Sequence, residues 1–489
     1  MTNRVLTLIL IISVLLFGSV EIWSSTAIYF MVFTLGLIWI LRGEYRAYEI
    51  SGTVKLLFIT TFTFIAYGAI QAVPLPSSVL KMVSPLSFQM QSFFSVDAKS
   101  TMPISLNTYR TVYETIRGAS FLTVFAISAI SFSERDKLQE TLKALSIFGF
   151  ILAIFAIVQK ATWNSSNGIY WFRELSHGGS PFGPFVNRNH FAGLMGMLIP
   201  LGLGLSFTRK KKEKKILFGF MTVIMAVSLF FSLSRGGIIS FFAGLALFTL
   251  LMLLHDRGAR KVWVISFFVL VVLSYVIYLG IDPIIERFYK TDVSNEQRLV
   301  VWSSTWIAAK DFWLTGSGLG SFINIFPLYS PPSITLIYDH AHNDYMEFFL
   351  ETGLIGTSLL LAFAALLIYR VVNNPLRGRK SILRAAALSS VFTMMVHSIF
   401  DFNLHILSNM LIFASVLGMV AGLSGREDDN RGGEDNKLKE KMTTEKNEAA
   451  ILLDSMIRKP ATRKRRSKPN SEDIQTERAE DAAGDEGHL

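Results

Sequence analysis

The sequence contains no cysteine and few charged residues. None of its 489 residues is Cys, and only 17% are Asp, Glu, Lys or Arg. The absence of cysteine excludes disulfides and thiolate metal sites, although it does not identify the cellular compartment. Hydrophobic residues make up 51% of the chain, 40 residues are Phe, and the mean hydropathy is +0.42. This composition predicts an all-α polytopic membrane protein and excludes a set of soluble domains.

Twelve apolar stretches are each about long enough to cross roughly 30 Å of hydrocarbon. The first starts close to the N-terminus, as a signal peptide does. The run Val20-Glu21-Ile22-Trp23 has no small-residue cleavage site, so a membrane helix is predicted instead. The predicted spans lie near residues 5–20, 25–41, 55–73, 117–132, 139–159, 190–207, 216–233, 236–254, 262–279, 347–369, 383–400 and 405–423.

The basic residues cluster at the ends of these spans, on one side of the predicted membrane. The net charge of +10 therefore indicates topology and not nucleic-acid binding. By the positive-inside rule that side is cytoplasmic, and so are both termini. The long loops at 74–116, 160–189 and 280–346 then face outward, to a periplasm if the cell is Gram-negative.

The composition changes after the last apolar span. Residues 1–423 form the predicted membrane domain, whereas residues 424–489 carry mixed charge and few aromatics. Such a segment cannot bury enough apolar surface to fold, so a disordered cytoplasmic tail is predicted. Its basic run at 463–468 suits anionic lipid headgroups, although a solvated tail is the preferred interpretation.

Three arginines stand at predicted outward-facing turns or helix starts. Arg188 lies between Asn187 and Asn189, where a capped helix start with a snorkelling arginine is as good an interpretation as an anion site. Arg235 lies in a turn between two spans, where an arginine is costly unless it meets an anion or a carboxylate. Arg298 begins an amphipathic helical pattern that predicts a helix on the membrane surface.

A histidine marks the start of a span at the end of the longest polar loop. Interpreted as one helix, residues 338–356 place His342, Gly353 and Gly356 near one face. Asp339 would cap the start of that helix. An imidazole at the mouth of a membrane helix can take a proton near neutral pH. The alternative is that His342 only caps the helix.

Two further patterns are interpreted as structural. His397, Asp401 and His405 follow at i, i+4 and i+8, and both residue types bind metals. A turn is expected at 402–404, which favours a hydrogen-bonded cluster over a metal site. The glycine-rich run 316–320 lacks a Walker lysine and a strand before it, so a turn is predicted and not a nucleotide loop.

The run His342-Asn343, nine residues, then Gly353-Leu354-Ile355-Gly356 resembles the signature of the O-antigen ligase and polymerase superfamily of bacterial membrane glycosyltransferases. Other pieces of the chain resemble the same family in the same order, and the resemblance covers roughly residues 180–420. These pieces are 183–189, 234–236, Arg298 to Trp302 with the glycine-rich run 316–320, and 397–402.

The resemblance implies a GT-C-like helical fold in a bacterial inner membrane, with a cavity open to the outer leaflet and an active site on the periplasmic face. It also implies inverting transfer of a glycan from undecaprenyl pyrophosphate to an acceptor hydroxyl. Arg235 and Arg298, with Arg188, would hold the pyrophosphate, and His342 would accept the proton of the hydroxyl. No cofactor is expected, nor a metal, because no Asp-x-Asp occurs in the outer loops. The supporting residues would be Asn187, Asn189, Asn343, Asp344, Glu351, Gly353, Gly356, His397 and Asp401, with Glu351 or Asp344 setting the tautomer of His342.

Three acceptors fit such a site. They are another lipid-linked repeat unit of an O-antigen or exopolysaccharide (a polymerase), the lipid A core of lipopolysaccharide (a ligase), and a protein side chain (an oligosaccharyltransferase). Polymerase and ligase are preferred. The alternative of another class is a lipid-linked glycan flippase or transporter, which usually carries charges along several spans and a repeat between halves. The spans here are largely uncharged, and no clear repeat is found.

Overall fold

The computed structural model describes residues 1–47, 50–94, 100–162, 169–170, 180–255, 259–280, 293–332, 334 and 336–423. The predicted tail at 424–489 lies outside the described residues, as do parts of the three long loops. Sixteen α-helices account for most of the described chain. Two short strands, Leu75–Pro76 and Thr101–Met102, pair antiparallel in the first long loop.

The helices are numbered in chain order. They are α1 (Thr2–Leu15), α2 (Ile22–Leu41), α3 (Gly52–Ala72), α4 (Ser77–Val83), α5 (Pro85–Phe94), α6 (Thr108–Ser131), α7 (Arg135–Thr162), α8 (Arg188–Thr208), α9 (Lys212–Phe231), α10 (Arg235–His255), α11 (Ala259–Gly280), α12 (Val293–Asp311), α13 (Phe322–Tyr329), α14 (Asp344–Asn373), α15 (Gly378–His397) and α16 (Leu407–Gly422). Short 3-10 turns occur at Phe17–Ser19, Glu44–Ala47 and Asn403–His405.

Each of the twelve predicted apolar stretches overlaps one of these helices, which confirms a predominantly helical, multi-pass membrane protein. Twelve crossings and their orientation stay predictions, because seven of the described helices are long and apolar enough to cross a membrane. These seven are Ile22–Leu41, Gly52–Ala72, Arg135–Thr162, Arg188–Thr208, Lys212–Phe231, Arg235–Leu254 and Asp344–Asn373.

Helix α8 is the central helix of the bundle. In its most apolar stretch, 89% of the residues are buried inside the protein. The helix packs against α7, α9, α10 and α15. Helices α6 and α16 also pack closely, because Gly418 has no side chain. A Cβ there would lie 2.5 Å from the Ser128 Cβ. Small residues permit such approach between membrane helices, and Ser128 Oγ donates a hydrogen bond to Ser415 Oγ at 3.1 Å.

Helix α14 is interrupted at Gly353, where φ is 59° and ψ is −162°. The backbone of a neighbouring loop satisfies the groups that the break exposes. Leu354 N donates to Trp313 O at 2.7 Å, and Ser317 N donates to Leu350 O at 3.0 Å. A membrane helix tolerates such a break only where other protein groups replace the lost bonds. The backbone around Gly353 and the loop that contains the glycine-rich run 316–320 are therefore hydrogen-bonded to each other.

Candidate active site

A cavity of about 1030 Å³ brings together residues that are far apart in the sequence. Its walls come from α2, α6, the first residues of α8 and α10, α12, the segment before α14 and the loop between α15 and α16. Arg188, Arg235 and Arg298 all line it, and each is partly buried. The three arginines proposed from the sequence therefore share one cavity.

Local structure explains why two of these arginines face the cavity. Arg188 and Arg235 are the first residues of α8 and α10. The Asn187 side chain caps α8 by accepting from Asn189 N at 2.9 Å, which confirms the capped helix start. Helix N-termini carry partial positive charge from unpaired N–H groups, so arginines there add to an anion-attracting potential.

Arg298 reaches the cavity from the first half of α12. It donates from Nη1 to the Phe400 carbonyl oxygen at 3.4 Å. Within the described residues no carboxylate lies within ion-pair distance of its guanidinium. An arginine in this state keeps most of its donors for an anionic ligand.

His342 lies before α14 and not on it, so the helical interpretation of residues 338–356 was wrong at its start. The cap is Asn343 and not Asp339: Asn343 Oδ1 accepts from Tyr345 N at 3.1 Å and from Met346 N at 3.2 Å. His342 precedes this cap with a left-handed backbone, φ 53°. An asparagine side chain that reaches two and three residues ahead starts the helix after itself, because it satisfies the first N–H groups.

The carboxylate that contacts His342 is Asp401. His342 Nδ1 lies 3.2 Å from Asp401 Oδ1, whereas the sequence favoured Glu351 or Asp344. Glu351 Oε1 instead accepts from Phe322 N at 3.0 Å. Asp344 and Glu351 project from α14, while the left-handed His342 lies outside that helix and contacts the loop between α15 and α16. Asp401 lines the cavity, whereas His342 is not among the lining residues and is connected to the cavity through this contact.

Asp401 is held as a carboxylate by its surroundings. Burial alone would raise its pKa, but the hydrogen bond with His342 and the positive charge of groups such as Arg298 keep the pKa of Asp401 well below its usual range. Its Oδ1 also accepts from Phe402 N at 2.8 Å. His190 Nε2 lies 4.0 Å from the same oxygen. An ionised carboxylate fixes the tautomer of a histidine that donates to it.

The expected turn after His397 is present. Helix α15 ends at His397, and a 3-10 turn at Asn403–His405 follows, so His397, Asp401 and His405 do not stack on one helix. His397 Nδ1 lies 3.3 Å from Asn403 Nδ2. His397 and Asp401 therefore each have a hydrogen-bond partner outside the i, i+4, i+8 series.

Sequence reasoning missed the wall that α6 contributes. Arg117 forms an ion pair with Glu114, and both line the cavity with Tyr113 and Tyr29. Arg117 Nη1 also donates to the His405 carbonyl oxygen at 3.0 Å. The sequence held one signal, because an ionisable residue at the edge of a predicted span indicates a functional position.

Sequence reasoning also missed His340 and Glu347. His340 lines the cavity, and its Nδ1 lies 2.7 Å from Glu347 Oε1. The ligand atoms of His340, Glu347 and His405 lie within 4.8 Å of one another, so this trio has the donors for a metal ion. The i, i+7 spacing of His340 and Glu347 carried no signal, because the helix begins only between them.

Residues 220–361 match the family described as O-antigen ligase. The match includes Arg235, Arg298, His342 and Gly353, and it confirms the resemblance in that part of the chain. Arg188 and Asp401 lie outside the matched residues but face the same cavity. No curated protein matches this chain.

Proposed function

We propose that this chain, whose residues 220–361 match the O-antigen ligase family, transfers a glycan from undecaprenyl pyrophosphate to an acceptor hydroxyl in surface polysaccharide assembly. The observation that carries the proposal is the shared cavity, where Arg188, Arg235 and Arg298 meet Asp401 and, through it, His342. The cavity would open on the periplasmic face of the inner membrane.

The arginines suit the departure of a pyrophosphate. Glycosyl transfer passes through an oxocarbenium-like transition state, in which negative charge grows on the leaving group. Guanidinium groups bind phosphate oxygens with paired hydrogen bonds and stabilise that charge. Arg298, with no carboxylate partner among the described residues, is the strongest candidate, and Arg188 and Arg235 would share the remaining oxygens.

His342 suits the activation of the acceptor. Because Asp401 is held as a carboxylate, the Nδ1–H group of His342 would donate a hydrogen bond to it, which leaves Nε2 as the proton acceptor. Nε2 would take the proton of the acceptor hydroxyl as its oxygen bonds to the anomeric carbon. The bond from that carbon to the pyrophosphate oxygen breaks on the opposite face, so the configuration inverts. Arginine charge alone can stabilise this leaving group, and the proposed transfer does not require a metal.

The acceptor we propose is a carbohydrate hydroxyl, on another lipid-linked repeat unit or on the lipid A core. A protein side chain is the second candidate. The same chemistry at His342 and the arginines serves all three, because each supplies a hydroxyl to the same donor.

Glycans extracted from a deletion strain, compared in length and attachment with the parent strain, test the proposal. Loss of long chains, with single repeats still attached, means a polymerase. Full-length polymer left on its lipid carrier means a ligase. Normal surface glycans with an unmodified glycoprotein mean an oligosaccharyltransferase. Unchanged glycans would overturn the proposal, and lipid-linked donor held on the cytoplasmic side would mean a flippase.

A further inference from the structure

A second group of titratable side chains lies beside the cavity and takes no part in the proposed transfer. His340 Nδ1 lies 2.7 Å from Glu347 Oε1, and His405 Nε2 lies 3.4 Å from the same oxygen. Glu347 and His405 are buried, whereas the His340 side chain is 27% exposed. His340 and His405 both line the cavity.

Two of the remaining polar atoms of this group are already hydrogen-bonded, one on His405 and one on Glu347. His405 Nδ1 lies 2.9 Å from Asp344 Oδ1, so its Nε2 is the atom turned to Glu347. Glu347 Oε2 accepts from Ala341 N at 2.7 Å, which leaves Oε1 for the two imidazoles. A carboxylate behind a histidine is the usual support of a metal ligand, because it fixes the tautomer and orients the ring.

The buried charge of the group also suits a cation. The carboxyl groups of Asp344 and Glu347 come from the first turn of α14, and each residue is 1% exposed. Within the described residues neither has an arginine or lysine at ion-pair distance. Buried carboxylates are costly unless paired. Negative charge on these two groups would be balanced by protonated imidazoles or by a bound ion.

We propose that His340 Nδ1, Glu347 Oε1 and His405 Nε2 bind one divalent cation of the zinc type, with its fourth position open to the cavity. Two imidazoles and one carboxylate are a ligand set that zinc accepts, and three protein ligands leave a position for water or an anion. The inference stands on these contacts and does not depend on the proposed glycosyl transfer.

The distances require one adjustment. Zinc bonds of about 2.0–2.1 Å in a tetrahedron place neighbouring ligand atoms about 3.3 Å apart. The His405–Glu347 separation of 3.4 Å already fits. The His340–Glu347 separation of 2.7 Å would widen as the ion replaces the shared proton.

The test is metal content and metal affinity of the purified, tag-free full-length chain. After dialysis against excess Zn²⁺ and then against metal-free buffer, we expect about one zinc ion per chain by elemental analysis. Co²⁺ would give the visible absorption of a four-coordinate site. His340→Ala and Glu347→Gln should lose the bound ion, and Asp344→Asn should keep it with about 10–100-fold weaker affinity.

His190→Gln is the matched control, because it removes a buried histidine of the same cavity that is not one of the three ligands. It should bind zinc as the parent does. Each variant is compared only after size-exclusion chromatography shows a monodisperse protein. No zinc above the His340→Ala background in the parent, or equal zinc in parent and Glu347→Gln, would overturn the proposal and leave protonated imidazoles as the source of charge.

Discussion

His342 Nδ1 and Asp401 Oδ1 lie 3.2 Å apart although the two residues are 59 positions apart in the chain. His342 precedes α14, and Asp401 follows α15, so the contact joins the ends of two helices. Trp302 supports it by donating from Nε1 to the Ala341 carbonyl oxygen at 3.0 Å, which holds the residue before His342. His342 is therefore held in place by its own contact with Asp401 and by the hydrogen bond between the preceding residue and α12.

Replacement of His342 by alanine should abolish most of the glycan transfer. A positioned base contributes about 10²–10⁴-fold to the rate, and the arginines would still bind the donor. The measurement is surface glycan in a deletion strain that carries the variant at parental protein level. Full restoration of the glycan would show that His342 is not the base.

Replacement of Asp401 by asparagine should act through His342. The neutral amide no longer fixes the imidazole tautomer, so the rate should fall while the donor still binds. The double variant His342→Ala, Asp401→Asn should be no slower than His342→Ala alone, because both changes remove one function. Losses that multiply in the double variant would mean that Asp401 acts separately.

Arg298 should not be replaceable by lysine. Lysine keeps the charge but presents a single ammonium, whereas guanidinium grips two phosphate oxygens at once. Arg298→Ala should lower transfer about 10²–10³-fold, the usual cost of losing one group that stabilises transition-state charge. Arg298→Lys should recover little of it in the same assay. Recovery of parental activity would show that charge alone suffices.

Gly353→Ala should destabilise the protein. At φ 59° and ψ −162° the backbone occupies a region that is almost confined to glycine, and a Cβ would lie 2.5 Å from the Leu314 carbonyl carbon. Backbone strain of this kind alone costs about 1–3 kcal/mol. Thermal unfolding in detergent should show a lower midpoint than the parent.

Gly52→Ala is the control for this change, because a Cβ at Gly52 meets nothing within 4 Å. Its unfolding midpoint should be no lower than that of the parent, because alanine at a helical position without a clash does not destabilise the chain. A Gly353→Ala protein that unfolds at the parental temperature would mean that the backbone at the break in α14 can adjust to a side chain without loss of stability.

The helices and the identity of the arginines could be predicted from sequence because both depend on local properties. Apolar run length determines which segments form membrane helices, and each predicted stretch overlaps a helix. Arg188, Arg235 and Arg298 could be singled out because a charged residue beside an apolar span needs a special environment. The motif from His342 to Gly356 likewise stands in the sequence as a continuous pattern.

The partners of those residues were decided by tertiary structure. Asp401 and not Glu351 contacts His342, because the Asn343 cap starts α14 one residue after itself and leaves His342 in a left-handed loop. No periodicity along the chain specifies that turn of the backbone. Two other contacts also connect segments that are distant in sequence. They are the backbone hydrogen bonds between the region of Gly353 and the loop at 313–318, and the approach of His405 to Glu347. Sequence alone determined which segments form apolar helices and which side chains can bind an anion or accept a proton. Packing between the ends of those helices determined which of these side chains meet.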